Sequence, residues 1–529
     1  MTPPEGSAVG EHVEVTQAAG LISLGNIASR VLGLLREMVK SGLFGAGPSV
    51  SALNAAVRVP TTIYDLLVGG MISSALVPVF SDYAPEERRA ELWHLLGLLT
   101  GAVTLIVSVF LLLGEIFAPQ LVWLMAGGLA PADRRLATEL LRMVLPALLF
   151  LNLAGVLSAA LYALRRFAFP AFTAAVFNAA LVVMALLLGR WWGVRSMALG
   201  LVVGSILQVA LQLPGLRDAR PRLTLDLHHP ALRRIGQLYL PVLIGLVVDN
   251  LLSVVLSYHL ASRIGGSAIA WMEYAAQIIQ FPLGMVVVAI SLAILPTLSR
   301  QAADPDPSPF RATLSQGLRL VLFLIIPATA TLLALSVPVV ALIFEHGGFT
   351  RADTLAVAEA LRCHLPGLLF AAVDQVLIFA FYARKDTWTP ALVGIGTTVL
   401  YALTAVVLAA AGILTLPLLV LVNSGKWTAH ALTMLYLTRR RLGAAGVWGL
   451  LFRVTVASGA LAAVTWEVTR FLEVRAGSGL WGELLVVGGA GGVGVVIYLL
   501  LSLILRVEEL HLLRAALADA LRKIKGSVI

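Results

Sequence analysis

Apolar residues in this chain gather into runs far longer than a buried helix of a water-soluble domain requires. Runs of roughly 20 or more residues fall near 17–43, 51–80, 92–118, 136–163, 168–189, 195–215, 236–261, 267–298, 312–343, 354–383, 388–411, 415–437, 447–472 and 481–505. As a helix, each is long enough to cross about 30 Å of hydrocarbon. The pattern predicts an all-α integral membrane protein of about fourteen transmembrane helices. Cations cluster after the even-numbered runs: Arg88 and Arg89, Arg165 and Arg166, Arg217 through Arg234, Arg300 and Arg311, Arg384 and Lys385, and Arg439 to Arg441. Loops that keep their positive charge stay in the cytoplasm. Both termini and the even-side loops are therefore expected there.

Composition agrees with that reading. The 529 residues are 59% hydrophobic and 13% charged, with mean hydropathy +0.92, far from a soluble domain. Cys363 is the single cysteine, so no intramolecular disulfide forms. No Cys and His spacing suggests a metal. Glu5, Glu11 and Glu14, with no Lys or Arg among residues 1–16, oppose the basic start of a cleaved signal peptide. This stretch is expected to be a disordered cytoplasmic tail. The net charge of +9 follows from topology and does not imply a nucleic-acid partner. From Arg506 to Lys525, apolar residues at helical spacing oppose basic ones. Residues 507–529 are thus expected to lie as an amphipathic helix along the inner membrane surface, a solvent-exposed helix being the alternative.

The halves of the chain echo each other. LYALRRFAFPAF at 161–172 and FYARKDTWTPAL at 381–392 share Tyr-Ala, a basic pair and Pro-Ala, displaced by 220 residues. A weaker echo sets Pro78 against Pro296, 218 apart. Six helices separate the copies, so the units share one orientation and form parallel repeats. The expected organisation is a six-helix bundle over 17–216, a cytoplasmic linker over 217–235, a second six-helix bundle over 236–441 and two extra helices over 442–506. Transporters of this plan hold cargo between bundles and alternate access by rocking them.

Charges at membrane depth mark the chemistry. In SRVLGLLREMVK, stepping 100° per residue from Arg30 places Glu37, Lys40 and Arg36 about 20°, 80° and 120° away on one side. Such an arc suits a wet, anion-attracting cavity; for Lys40 and Arg36, snorkelling to the interface is the alternative. With Arg58 in the second run, Arg30 and Arg36 are candidates to bind a phosphate-bearing ligand, since guanidinium groups grip phosphate bidentately. Asp65 is the expected counter-ion of Arg58. Glu139 and Arg142, three apart, are expected to satisfy each other. The second half offers Asp249, Glu273, Asp374 and Lys426. A carboxylate at this depth is a candidate site for Na⁺ or H⁺ coupling or gating; Asp249 or Asp374 paired with Lys426 in a packing role is the equal alternative.

Enzyme chemistry is not indicated. HGGFT at 346–350 has no G-x-S-x-G partner, and no phosphate-binding loop occurs. The chain is read as a non-enzyme that draws on an ion gradient, the membrane potential or downhill substrate.

SRVLGLLRE followed by FGAG, R-V-P in the second run, SSALVPVFSDY, W-M-E-Y-A with Q-F-P-L-G, ILPTLSR, FEHGGFTRADT and FYARKDTWTP together resemble the MurJ/MviN family of lipid II flippases, within the multidrug/oligosaccharidyl-lipid/polysaccharide exporter superfamily. The resemblance spans about residues 20 to 440. It implies turning lipid-linked peptidoglycan precursor from the cytoplasmic to the periplasmic leaflet of a bacterial inner membrane. It also implies a cationic cavity lined by Arg30, Arg36 and Arg58, a groove for the polyprenyl tail formed by the two last helices, and cell-wall synthesis proteins and membrane lipid as partners. The chain departs from the family pattern at Ser51, where an acid is usual, at Tyr64 and Asp65, where a basic pair is usual, and at Ala276 and Gln277, where an acid and an arginine are usual. Three alternatives stand beside this reading: a flippase for another polyprenyl-pyrophosphate oligosaccharide, a cation-coupled drug antiporter, and a membrane scaffold that binds precursor without moving it.

Overall fold

The structure is a computed structural model and describes residues 5–219, 230–442, 448–475, 477 and 479–510. Among these every regular element is helical. Among the described residues, ten helices are long and apolar enough to cross a membrane, eleven if the pair Pro131–Val144 and Ala147–Ala163, bent by 42°, counts as one span. The chain is a multi-pass membrane protein. Three of the fourteen expected spans are helical without reaching that mark: 17–43, 51–80 and 415–437. Each carries buried charge or a broken helix, which shortens its uninterrupted apolar stretch. The helix that contains the first of them runs from Glu5, so residues 5–16 are helical where a disordered tail was expected. The expected surface helix over 507–529 lies outside the described residues from 511 onward, as does most of the linker.

Two compact units divide the chain, residues 1–270 with 346–350, and residues 271–345 with 351–529. Unit 1 contains α1 (Glu5–Phe44), α2 (Pro48–Tyr64), α3 (Val77–Asp82), α4 (Arg89–Ile116), α5 (Ala118–Ala126), α6 (Pro131–Val144), α7 (Ala147–Ala163), α8 (Ala168–Ala171), α9 (Thr173–Trp192), α10 (Arg195–Gln212), α11 (Pro230–Asp249) and α12 (Leu256–Ile264). The division falls in the first turn of α13 (Ala268–Pro282). Unit 2 continues with α14 (Val288–Gln301), α15 (Ser308–Ala334), α16 (Ser336–Phe344), α17 (Arg351–Ala383), α18 (Trp388–Ala410), α19 (Leu416–Leu442), α20 (Trp448–Glu473) and α21 (Leu480–Ile504).

In unit 1, α9 packs on α1 and α10, α2 on α6, and α4 on α7. Leu76, Phe80, Leu95, Leu96, Leu148 and Val156 form the centre of a buried cluster that also takes Ile235 and Tyr239 from α11. Tyr239 fixes that docking by donating its hydroxyl to the Leu66 carbonyl at 2.7 Å. The Leu66 carbonyl is open to a side chain because Asp65–Gly69 is π-helical, which disturbs the ordinary backbone ladder. In unit 2, α17 packs on α19 and α15, α15 on α20, and α20 on α21.

The repeats seen in sequence recur in the backbone. The π-helical segments Asp65–Gly69 and Leu283–Val287 are displaced by 218 residues, the same interval as Pro78 and Pro296. The second echo ends α7 and α17 in the same way. Arg165 at φ 58° and Lys385 at φ 61° are left-handed. The following N–H of Arg166 reaches the Leu161 carbonyl at 2.8 Å, and that of Asp386 reaches Phe381 at 3.0 Å. This is the six-to-one closure that caps a helix C-terminus.

The side chains around these caps are paired with opposite polarity. Arg166 donates to both carboxylate oxygens of Asp218, one of them at 2.8 Å, and its hydrogen bonds hold the Asp218 carboxyl below the ordinary carboxylate range. In unit 2, Asp386 stands where Arg166 stands and accepts from Arg441 at 3.2 Å.

The HGGFT segment serves packing. Gly348 N–H donates to the Gly42 carbonyl at the end of α1 at 2.8 Å, and a Cβ on Gly45, at φ 69°, would meet the Gly348 carbonyl oxygen at 2.4 Å. Gly412 has nearly the same φ, 70°, but a Cβ added there would meet nothing within 4 Å. Gly412→Ala is therefore expected to cost only the left-handed backbone term, about 1–2 kcal/mol. Gly45→Ala is expected to cost roughly 1–3 kcal/mol more from overpacking. Thermal unfolding of the two variants in detergent checks the order.

Candidate functional site

The charged arc of α1 is assembled around one carboxylate. Glu37 accepts from Arg36 Nε at 3.0 Å and Nη2 at 2.7 Å and pairs with Lys40 on its other oxygen. Arg36 Nη1 donates to Asn178 Oδ1 of α9 at 2.9 Å. Asn178 Nδ2 in turn donates to the Ser29 carbonyl at 3.2 Å. Lys40 reaches Asn54 of α2 at 3.4 Å. Gly33 borders Asn178, where a Cβ would lie in ordinary contact, 3.6 Å from Nδ2. Glu37 and Lys40 are each only 6% exposed. Lys40 thus does not snorkel, the alternative its position in the sequence left open: it is held inside by a carboxylate one turn away.

Two cations share one anion here, so the cluster keeps one net positive charge in a membrane helix. The Arg36 side chain is 24% accessible, and three of its five N–H groups are engaged by Glu37 and Asn178. The remaining donors are available to an anion. Arg30 is half-buried on the same helix. Arg58 is half-buried on α2, within electrostatic reach of the exposed Asp65, in line with the counter-ion reading.

The expected Glu139–Arg142 pair is replaced. Glu139 accepts two bonds from Arg195 of α10, at 2.7 and 2.9 Å, while Arg142 lies 3.6 Å from Glu115 of α4. Glu139 turns to the neighbouring helix because a bidentate fork aligned with a carboxylate outcompetes the skewed contact available three residues along one helix.

The remaining candidates divide between the units. Asp249 ends α11 in unit 1, half-buried, next to the π-helical Asn250–Val255. Glu273 on α13, Asp374 on α17 and Lys426 on α19 belong to unit 2. Asp374 is buried and takes as hydrogen-bond partner His430, a residue the sequence reading did not single out: Nδ1 of His430 lies 2.7 Å from Asp374 Oδ1. The other ring nitrogen lies 3.3 Å from the Pro390 carbonyl oxygen of α18. The helices carrying this pair approach closely where Gly367 meets Ser424, whose hydroxyl donates to the Cys363 carbonyl at 2.6 Å. Lys426 places its ammonium 4.8 Å from the Trp427 ring centroid.

Residues 40–487 match the model of a protein family described as lipid II flippase MurJ. A protein of Burkholderia cenocepacia named lipid II flippase MurJ is 29% identical over 383 residues, covering 70% of this chain and 74% of its own. A probable lipid II flippase MurJ of Rhizobium meliloti is 32% identical over 424 residues, covering 74% and 75%. A solved structure of lipid II flippase MurJ in an inward closed conformation superposes with a TM-score of 0.77 at 22% identity, covering 92% of this chain and 99% of its own. An inward-facing multidrug resistance transporter of the MATE family shares the fold, with a TM-score of 0.66 at 14% identity over 79% and 95% of the two chains.

Within the α1 cluster, Glu37 is the group whose loss leaves two buried cations facing each other. Glu37→Gln is expected to lower stability by about 3–5 kcal/mol, the usual cost of removing one partner from a buried pair. Adding Lys40→Met to it should recover a large part of that loss. Thermal unfolding of the detergent-solubilised single and double variants measures the difference.

Proposed function

The chain belongs to the lipid II flippase MurJ family, and from that premise we propose that it turns lipid II from the cytoplasmic to the periplasmic leaflet of a bacterial inner membrane. The observation that carries the reading within this chain is the excess cation on α1: Arg36 and Lys40 share Glu37 and leave one positive charge with free guanidinium donors. A diphosphate head group matches that charge and fork geometry. Arg30 and Arg58 extend the cationic lining.

In this reading both termini are cytoplasmic, consistent with the cation-rich even-side loops. The apolar α20 and α21 receive the polyprenyl tail. Binding differs between states: an inward state engages the diphosphate, and rearrangement weakens that engagement outside, because a ligand shifts a conformational equilibrium only through unequal affinity. No bond of the cargo is made or broken. Cell-wall synthesis proteins are its natural neighbours in the membrane.

Flipping of labelled lipid II in cells depleted of their own flippase tests the proposal. Wild-type chain should restore it. Arg30→Ala and Arg58→Ala, present at normal abundance, should each reduce it by roughly 10- to 100-fold, the equivalent of one charge-assisted hydrogen bond of about 1.5–3 kcal/mol. Full rescue by both variants would remove the cationic-cavity mechanism. Failure of the wild type together with rescue of another polyprenyl-diphosphate saccharide pathway would reassign the cargo.

A further inference from the structure

The contacts of His430 require one proton more than an ionised carboxylate and a neutral imidazole contain. A carboxylate and a backbone carbonyl only accept hydrogen bonds, whereas a neutral imidazole has one N–H and one bare lone pair. His430 faces an acceptor at each nitrogen, Asp374 Oδ1 at 2.7 Å and the Pro390 carbonyl at 3.3 Å. Both contacts form together in only two ways. Either the ring is an imidazolium donating to the carboxylate and the carbonyl, or Asp374 is a carboxylic acid donating to Nδ1 while Nε2–H donates to Pro390. In both, the pair holds the same extra proton and is electrically neutral.

We propose that Asp374 and His430 form a proton-binding site in the membrane interior of unit 2, whose occupancy is linked to the packing of α18 against α19. Without the proton, a net negative charge is left on side chains that are 1% and 7% exposed. One ring nitrogen then turns a lone pair toward an oxygen. If Nδ1–H stays with Asp374, the bond to Pro390 becomes a repulsion, and α18 loses its buried polar tie to α19, keeping the exposed one from Arg441 to Thr389 Oγ1 at 3.1 Å. Gly394 borders the ring: a Cβ there would lie 3.6 Å from Nε2, in ordinary van der Waals contact.

The surrounding groups leave the pair as the main titrating centre. α18 carries no charged side chain, and α16 carries none either. On α19, Lys426 stands one turn before His430. On α17, Tyr382 lies within electrostatic range of Asp374, and His364 lies ten residues before it. Of the helices packed on α17, α14 brings Arg300 near its end, and α15 brings Arg311 and Arg319. Arg319 is engaged by Glu508 and Glu509.

The proton site stands independently of the cargo, while its coupling to flipping rests on the function proposed above. Two measurements separate them. In full-length protein with ring-¹⁵N histidine in lipid bilayers near neutral pH, nitrogen spectra should show a doubly protonated ring that His430→Gln removes, or infrared spectra a protonated carboxyl band that Asp374→Asn removes. A singly protonated His430 with no such band overturns the site. In proteoliposomes carrying labelled lipid II, an imposed pH gradient should shift the steady-state leaflet distribution by up to about tenfold per pH unit for one coupled proton. The shift should vanish in His430→Gln and persist in Arg58→Ala even as the rate falls. A distribution that ignores the gradient, or responds equally in His430→Gln, overturns the coupling. If no lipid II moves at all, the cargo reading fails and the spectra still decide the proton site.

Discussion

A polar group inside hydrocarbon has no water to turn to, so a partner on a neighbouring helix or on its own is worth more there than in a soluble protein. Glu37 illustrates how much follows from that. Its two oxygens are claimed by cations before and after it on one helix, and the cations then reach sideways to amides on α9 and α2. Helix packing in a bilayer lacks the hydrophobic drive that assembles soluble cores, since lipid tails are as apolar as leucine. Van der Waals fit at small residues such as Gly367, together with these polar ties, therefore decides which helices touch.

Much of this architecture could be read from the chain. Run lengths give most of the helices, and the echo at an interval of 218 to 220 residues appears in the backbone as matched π-helical segments and matched left-handed caps. Such features are local, fixed by residues within a turn or two of each other. The cationic face of α1 was legible for the same reason, because residues at helical spacing share a side whatever surrounds them.

Partner choice was not legible. Glu139 has Arg142 within one turn and yet takes Arg195, more than fifty residues away, because α10 brings a bidentate fork to it. Asp374 had Lys426 as its obvious counter-charge, yet its hydrogen bond goes to His430, one turn further along the same helix. Rotating α19 by that one turn is invisible to periodicity, since both residues lie on nearly the same face. Asn178 and His430 did carry a signal that went unused: an amide or an imidazole in the middle of an apolar run is costly unless something receives it. Helix α11 shows the complementary limit. Counting spans assigns it to the second repeat, whereas Tyr239 and Ile235 join it to the core of unit 1.

The reversed polarity of the two cap-associated ion pairs bears on how a duplicated chain assembles as it enters the bilayer. Had both halves kept the same signs, the hairpin after α7 could lock as readily onto the end of α19 as onto its own neighbour. With Arg166 bound to Asp218 and Asp386 bound to Arg441, an exchanged partnership would set arginine against arginine and aspartate against aspartate. Like charges brought together in this way repel, so the exchanged pairing is disfavoured. Two halves alike in backbone are thereby told apart by the sign of one charge pair.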